Sequence, residues 1–135
     1  MESKGKILLV DDDIDFLEMH KVVLKNHGYE VLTATNGQEG MERVRAEMPD
    51  LIILDLIMEK HDAGFSFSKK IKTDPLFKKI PILMVTSVGE TTGFHFSFQD
   101  DGYWMKTDDF LDKPVRPEVL IDRVEKLLDK KRDSN

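Results

Sequence analysis

The chain reads as an α/β protein, a parallel β-sheet with helices packed on both of its faces. Three observations predict this. Apolar runs of strand length occur at Ile7–Val10, Leu51–Leu56 and Ile80–Val85, and none alternates with polar residues, as strands covered on both faces require. The segments between them place apolar residues at helical spacing. Strand and helix then alternate along the chain, an order satisfied most economically by parallel strands joined through crossover helices. With 135 residues there is material for one proper core and too little for two. No internal repeat, linker or low-complexity segment interrupts it, so one domain over residues 1–135 is expected.

The elements follow in order. Ile7–Val10 is the first strand and runs directly into Asp11, Asp12 and Asp13, with Asp15 behind. A helix comes next, with Phe16, Met19, His20, Val23, Leu24 and His27 sharing a face and Gly28 standing where a C-terminal cap belongs. Tyr29–Thr35 is a partly alternating strand, which suits a place near the sheet edge. Met41, Val44 and Met48 mark a second helix ended by Pro49. After the third strand, Phe65, Ser68 and Ile71 mark a third helix, ended near Pro75. A weak fifth strand is read at Phe110–Leu111. The last helix is the clearest, with Pro117 in its first turn and then Val119, Leu120, Val124, Leu127 and Leu128.

Composition excludes several classes of function. The net charge is −6, leaving no surplus of Lys and Arg to neutralise phosphates, so a nucleic-acid partner is not expected. Cysteine is absent, which removes disulfides and thiolate metal sites. The N-terminal "MESKGK" lacks the apolar core of a signal peptide, and no run approaches transmembrane length. A cytoplasmic location and no membrane partner are expected.

The acidic cluster carries the chemistry. Two like charges about 4 Å apart, at an effective dielectric near 20, repel by about 4 kcal/mol before screening. In open parallel sheets, ligands bind beyond the carboxyl ends of the strands, where the winding reverses. At those ends the sequence puts Asp11 and Asp12 after strand one, Asp55 at strand three, Thr86 and Ser87 at strand four, and Lys113 after strand five. Hard oxygen ligands with open positions suit Mg²⁺, which favours a few carboxylates plus a phosphate oxygen. A carboxylate beside it can act as a nucleophile and form an acyl phosphate. Lys and Thr would neutralise and hydrogen-bond the phosphoryl oxygens.

Four fragments, "LLVDD", "LIILDL", "MVTS" and "FLDKP", come in order at suitable spacing. Together they resemble the receiver domain of bacterial two-component response regulators, over nearly the whole chain. The resemblance implies a flavodoxin-like, doubly wound five-stranded sheet of order 2-1-3-4-5. It implies that Asp12 binds Mg²⁺ directly, that Asp11 helps through water, and that Asp55 and the backbone carbonyl of Ile57 complete the site. Asp55 would accept the phosphoryl group from a sensor histidine kinase or a histidine phosphotransfer protein. Thr86 and Lys113 would hold that group, and Thr86 with Phe110 would form the switch. The implied protein is a stand-alone signalling receiver without an output domain. It is not an enzyme beyond its own phosphorylation and dephosphorylation, and it passes its state to an unknown downstream protein by contact.

Some features depart from the family. Glu59 stands where a proline is usual, and the loop "EKHDAG" is one residue longer than common. Phe110 fills a position that is commonly Tyr or Phe, and it has no hydroxyl to donate. Residues 89–109 are longer than usual, and Phe94, Phe96 and Phe98 alternate at period two. An atypical fourth-helix region is therefore expected there, with a short strand, hairpin or ordered loop as fitting as a helix.

Blander and rival readings stand beside these. Asp13 and Asp15 suit a helix N-cap and first turn without any chemical role. His20 and His27 read as helix-face residues beside the core, and His95 as a loop residue. An EF-hand starting at Asp11 fails, because its sixth and twelfth positions are Phe16 and Val22. A haloacid-dehalogenase-type phosphatase would use Asp11 as nucleophile and Asp13 as acid/base, leaving Asp55 without a task. A receiver-like binding module that works without phosphorylation is the third reading.

Overall fold

A computed structural model of the chain describes residues 4–55, 63–86, 109–112 and 115–133, with the side chains of 63–65, 86, 109, 110, 112 and 130–133 left aside. Strands β1 (Lys6–Val10), β2 (Glu30–Ala34), β3 (Leu51–Leu54), β4 (Ile82–Thr86) and β5 (Asp109–Asp112) form one parallel sheet of order β2-β1-β3-β4-β5. Helices α1 (Ile14–Asn26), α2 (Gly37–Glu47), α3 (Ala63–Thr73) and α4 (Pro117–Asp133) connect or follow them. The expected α/β class, strand order and flavodoxin-like winding are all present. The expected irregularity over 89–109 falls, except for Asp109 at the start of β5, outside the described residues.

The two faces of the sheet account for the unalternating runs. Ile7, Leu9, Leu51, Ile53, Leu83 and Val85 point into one core with Phe16, Leu17 and Leu24 of α1 and Leu120, Ile121 and Val124 of α4. Leu8, Val10, Ile52, Leu54, Ile82 and Met84 point into the other, with Met41 and Val44 of α2 and Phe67 and Ile71 of α3. Successive residues go to opposite faces and both faces are buried, so every position must be apolar. The sidedness follows from right-handed crossovers. The step from β1 out to β2 puts α1 on one face. The steps from β2 across to β3 and on to β4 run the other way and put α2 and α3 on the opposite face.

Local signals set the helix ends. The Asp13 side chain accepts from the Phe16 amide at 3.2 Å and caps α1. At the other end, Gly28 (φ +94°) donates to the Lys25 carbonyl and Tyr29 to the Leu24 carbonyl, closing a Schellman motif that needs a left-handed residue. Asn36 caps α2 by accepting from the Glu39 amide at 2.8 Å, and Glu39 returns the contact by accepting from the Thr35 amide. Gly40 lies where α2 meets α3. A Cβ there would sit 2.9 Å from Phe67 Cε1 and 3.3 Å from Val10 Cγ2, so only hydrogen fits.

Four details differ from the sequence expectation. The buried face of α1 is Phe16, Leu17, His20 and Leu24, while Met19 and His27 are exposed, so the helix is turned toward Leu17. Met48 is the C-cap of α2 in the left-handed region (φ 48°) and is half exposed, because Pro49 stops the helix before that position can join its face. β2 starts at Glu30 and ends at Ala34, one residue inside the expected run at each end, although its place at one of the two sheet edges is as expected. β4 starts at Ile82 because Pro81 has no amide to give the ladder, although its carbonyl accepts from the Ile52 amide.

His20 is fully buried on α1. Its Nδ1 faces the Phe16 carbonyl at 3.0 Å, which can only accept, so the proton sits on Nδ1. Nε2 is then a buried acceptor with no partner among the described residues, and the ring lies against that of Phe16, centroids 4.0 Å apart. A buried unsatisfied acceptor costs on the order of 1–3 kcal/mol. Replacing His20 by Met, which fills the space without a strong acceptor, is therefore expected to raise the unfolding free energy by about 1 kcal/mol in urea titrations. A loss of that size would show that the imidazole has a stabilising partner.

Lys6 ties the amino ends of the strands together. Its Nζ lies 3.0 Å from Glu47 Oε1 and 3.8 Å from Glu30 Oε2, while its backbone amide donates to Asp50 Oδ2 at 2.8 Å. The hydrogen bond to Glu47, aided by the charges of Glu30, Glu47 and Asp50, raises its pKa above the ordinary 10.5, against the opposing effect of burial. A folded pKa raised above the unfolded one gives stability that is complete below pH 10.5 and is lost as pH climbs through the raised value. Lys6→Met is expected to lower stability at neutral pH and to flatten the decline above pH 10.5 in chemical denaturation. An unchanged alkaline slope would show that the Lys6 ion pairs contribute nothing.

Candidate functional site

The winding direction reverses between β1 and β3, two neighbouring interior strands, and leaves a crevice beyond their carboxyl ends. The residues that follow these strands open into it. The Asp11 amide donates to the Ala34 carbonyl at 3.0 Å and the Asp55 amide to the Val10 carbonyl at 2.9 Å. Each acid therefore continues the ladder and is held by the sheet itself. Asp11 is 1% and Asp55 6% exposed, whereas Asp12 lies open to solvent.

One carboxylate oxygen from each of Asp11, Asp12 and Asp55 lies within 4.8 Å of the other two. Acids from positions 11 and 55 thus meet because β1 and β3 pair in register, Val10 opposite Leu54. Asp11 Oδ1 also accepts from the Asp13 amide at 2.9 Å, which braces the turn into α1. A set of only hard oxygen donors, two held by backbone and one free to adjust, fits a Mg²⁺ ion that keeps several waters. Among the described residues this is the one group of three or more His, Cys, Asp or Glu with metal-binding spacing.

The remaining predicted residues divide by location. Thr86 ends β4 and pairs in register with Asp112, the last residue of β5. Phe110, on β5, pairs with Met84 of β4. Lys113 follows Asp112 in the chain and, like Ile57, lies outside the described residues, as do Glu59, His95 and residues 89–108. Asp13 takes the capping role anticipated for it, and Asp15 sits in the first turn of α1. His20 and His27 both pair through Nδ1 with the carbonyl four residues earlier, far from the acids along α1. No helix among the described residues is long and apolar enough to cross a membrane.

Known proteins agree with this geometry. The profile of the response regulator receiver domain matches residues 7–125. The protein PilH of Pseudomonas aeruginosa is 33% identical over 129 residues, covering 92% of this chain and 98% of PilH. The phosphate regulon transcriptional regulatory protein PhoB of the same species is 34% identical over 122 residues, covering 90% of this chain and 51% of PhoB. This chain spans about half the length of several curated relatives, 47% in one from Guillardia theta. Among solved structures, a CheY-like receiver domain protein from Methanospirillum hungatei superposes with a TM-score of 0.82, 25% identity and full coverage of both chains. The chemotaxis response regulator CheY4 of Vibrio cholerae gives a TM-score of 0.78 at 30% identity, over 94% of this chain and 99% of that one. With its strand order, its crevice acids and this match over nearly its whole length, the chain belongs to the response regulator receiver domain family.

Proposed function

We propose that the protein is a phosphorylated signalling switch whose acceptor is the Asp55 carboxylate. The observation that carries this reading is the convergence of Asp55 with Asp11 and Asp12 at the reversal point of the sheet. The phosphodonor is a phosphohistidine of a sensor kinase or a histidine phosphotransfer protein. One Asp55 oxygen attacks phosphorus, the N–P bond of the donor breaks, an O–P bond forms, and the donor imidazole leaves with the electron pair.

Asp11, Asp12, Asp55 and the Ile57 carbonyl would hold Mg²⁺, which when bound neutralises charge between the carboxylates and the phosphoryl oxygens. Thr86 and Lys113 engage those oxygens, and Thr86 with Phe110 registers their arrival. The backbone bonds of Asp11 and Asp55 keep the carboxylates in place before the donor arrives, so positioning costs nothing at the moment of reaction. The state is passed on by contact with a downstream protein. Against the phosphatase reading, the Asp13 carboxylate is engaged in capping α1, and Asp55, idle in that scheme, is drawn into the site.

Two measurements test the proposal. Intact mass after incubation with acetyl phosphate and Mg²⁺ is expected to show one added phosphoryl group, labile to hydroxylamine, in the wild type and none in Asp55→Asn. A label mapping to Asp11 would support the phosphatase reading, and inertness toward both small donor and kinase would support a binding module.

The second measurement is thermal. Mg²⁺ at about a hundred times its dissociation constant is expected to stabilise the fold by roughly 2.7 kcal/mol. Asp12→Ala, a change at an exposed position, is expected to abolish most of that gain. A response unchanged in Asp12→Ala would place the ion elsewhere.

A further inference from the structure

The end of the molecule away from the acids carries a surface of opposite sign. Residues 69–80, "KKIKTDPLFKKI", hold five lysines and one aspartate in a chain whose net charge is −6. They form the last turns of α3 and the loop into β4. This loop delivers Ile82 opposite Ile52, at the amino end of β3, whereas Asp55 lies beyond its carboxyl end. Lys69, Lys70, Lys78 and Lys79 are all exposed. None of them takes part in the ion pairs found among the described residues. Between the two lysine pairs stands Leu76, 74% exposed, the most exposed large hydrophobic side chain among the described residues.

The loop is built to present these groups. Phe77 and Ile80 are buried in the core shared with α3. The Leu76 amide donates to Asp74 Oδ1 at 2.8 Å, and the Phe77 and Lys78 amides donate to the Asp74 carbonyl at 3.1 and 2.8 Å. Lys72 Nζ donates to the Lys78 and Ile80 carbonyls at 3.2 and 2.7 Å, which straps the loop to the end of α3. The single acid of the segment is thus committed to the turn, and the lysines and Leu76 project from an anchored base. Preorganised presentation of this kind lowers the ordering cost of binding.

We infer that this lysine-flanked Leu76 knob docks an acidic protein segment that carries an apolar anchor. A single exposed leucine is ordinary; its placement between four exposed lysines that make no ion pair among the described residues is what selects the partner. Local charge complementarity favours an acidic peptide at short range. The overall negative charge works against the two long, uniformly charged alternatives, nucleic acid and an anionic membrane, whose fields act on the whole protein. The surface lies across the sheet from Asp55, so a partner can occupy it while a phosphodonor approaches the acids.

The probe for the test is a fluorescein-labelled peptide of alternating Asp and Glu with two central leucines, read by anisotropy and by amide shift mapping. The expected result is saturable binding with shifts concentrated in residues 69–80. Leu76→Ser, which leaves the charge unchanged, is expected to weaken it about tenfold, the scale of losing a buried leucine contact. Lys78→Glu with Lys79→Glu is expected to abolish it. All three positions are exposed, and unchanged circular dichroism confirms the fold of each variant. The proposal is overturned if Leu76→Ser binds as tightly as wild type, if the shifts centre elsewhere, or if phosphatidylserine vesicles or duplex DNA bind and the peptide does not.

Discussion

Burial of β1 and β3 on both faces is the constraint on which the rest of this structure depends. These neighbouring strands sit inside the sheet, with α1 and α4 over one face and α2 and α3 over the other. Covering both faces demands continuous apolar sequence, and right-handed crossovers then demand a reversal of winding beside β1. The crevice at that reversal follows from the topology and needs no dedicated residues to open it. What the chain adds there is chemistry, in the acids that follow Val10 and Leu54.

The same arrangement makes the acids rigid. Asp11 and Asp55 each donate a backbone amide to the neighbouring strand, so the sheet fixes their Cα atoms and only side-chain rotation can change the spacing of their carboxylates. Asp12, with its side chain in solvent, retains freedom to adjust to a ligand. A site with two fixed donors and one adjustable donor combines preorganisation with tolerance for exchange. That is what a reversible signalling switch requires, and it is the physical sense in which membership of the receiver family is consistent with this geometry.

Charge is also divided along the strands. Acids gather at the carboxyl end, while the amino end carries the lysines of the α3–β4 loop and the Lys6 cluster with Glu47, Glu30 and Asp50. The Lys6 cluster is internally paired and holds the strand starts together. Lys69, Lys70, Lys78 and Lys79 make no ion pair among the described residues and face solvent. The acidic site and the basic surface are thus separated by the length of the central strands, which lets each act without neutralising the other.

Much of this was legible in the sequence. The unalternating runs named the buried strands, Asp13 and Gly28 marked the ends of α1, and the order of Asp11, Asp12 and Asp55 at strand ends pointed to the acidic cluster, because these signals are local or depend on chain order alone. Other features depend on how elements meet. Helical periodicity leaves the rotation of α1 free within part of a turn, so only packing against the sheet and α4 decided that Leu17 is buried and Met19 exposed. His20 read as a helix-face residue beside the core, and it took the closed interface to leave its Nε2 without a partner among the described residues. Nor does a run of lysines along the chain show which of them straps a loop and which stay exposed. Lys72 and Lys78 differ in that respect because of where the loop folds back on α3. The sequence by itself determined the layers, the strand identities and the acids of the crevice, since apolar pattern and chain order carry that information. The tertiary structure alone decided the meeting of Asp11 with Asp55, 44 positions apart in the chain, because the register of β1 against β3 is a property of the closed sheet and of neither segment alone.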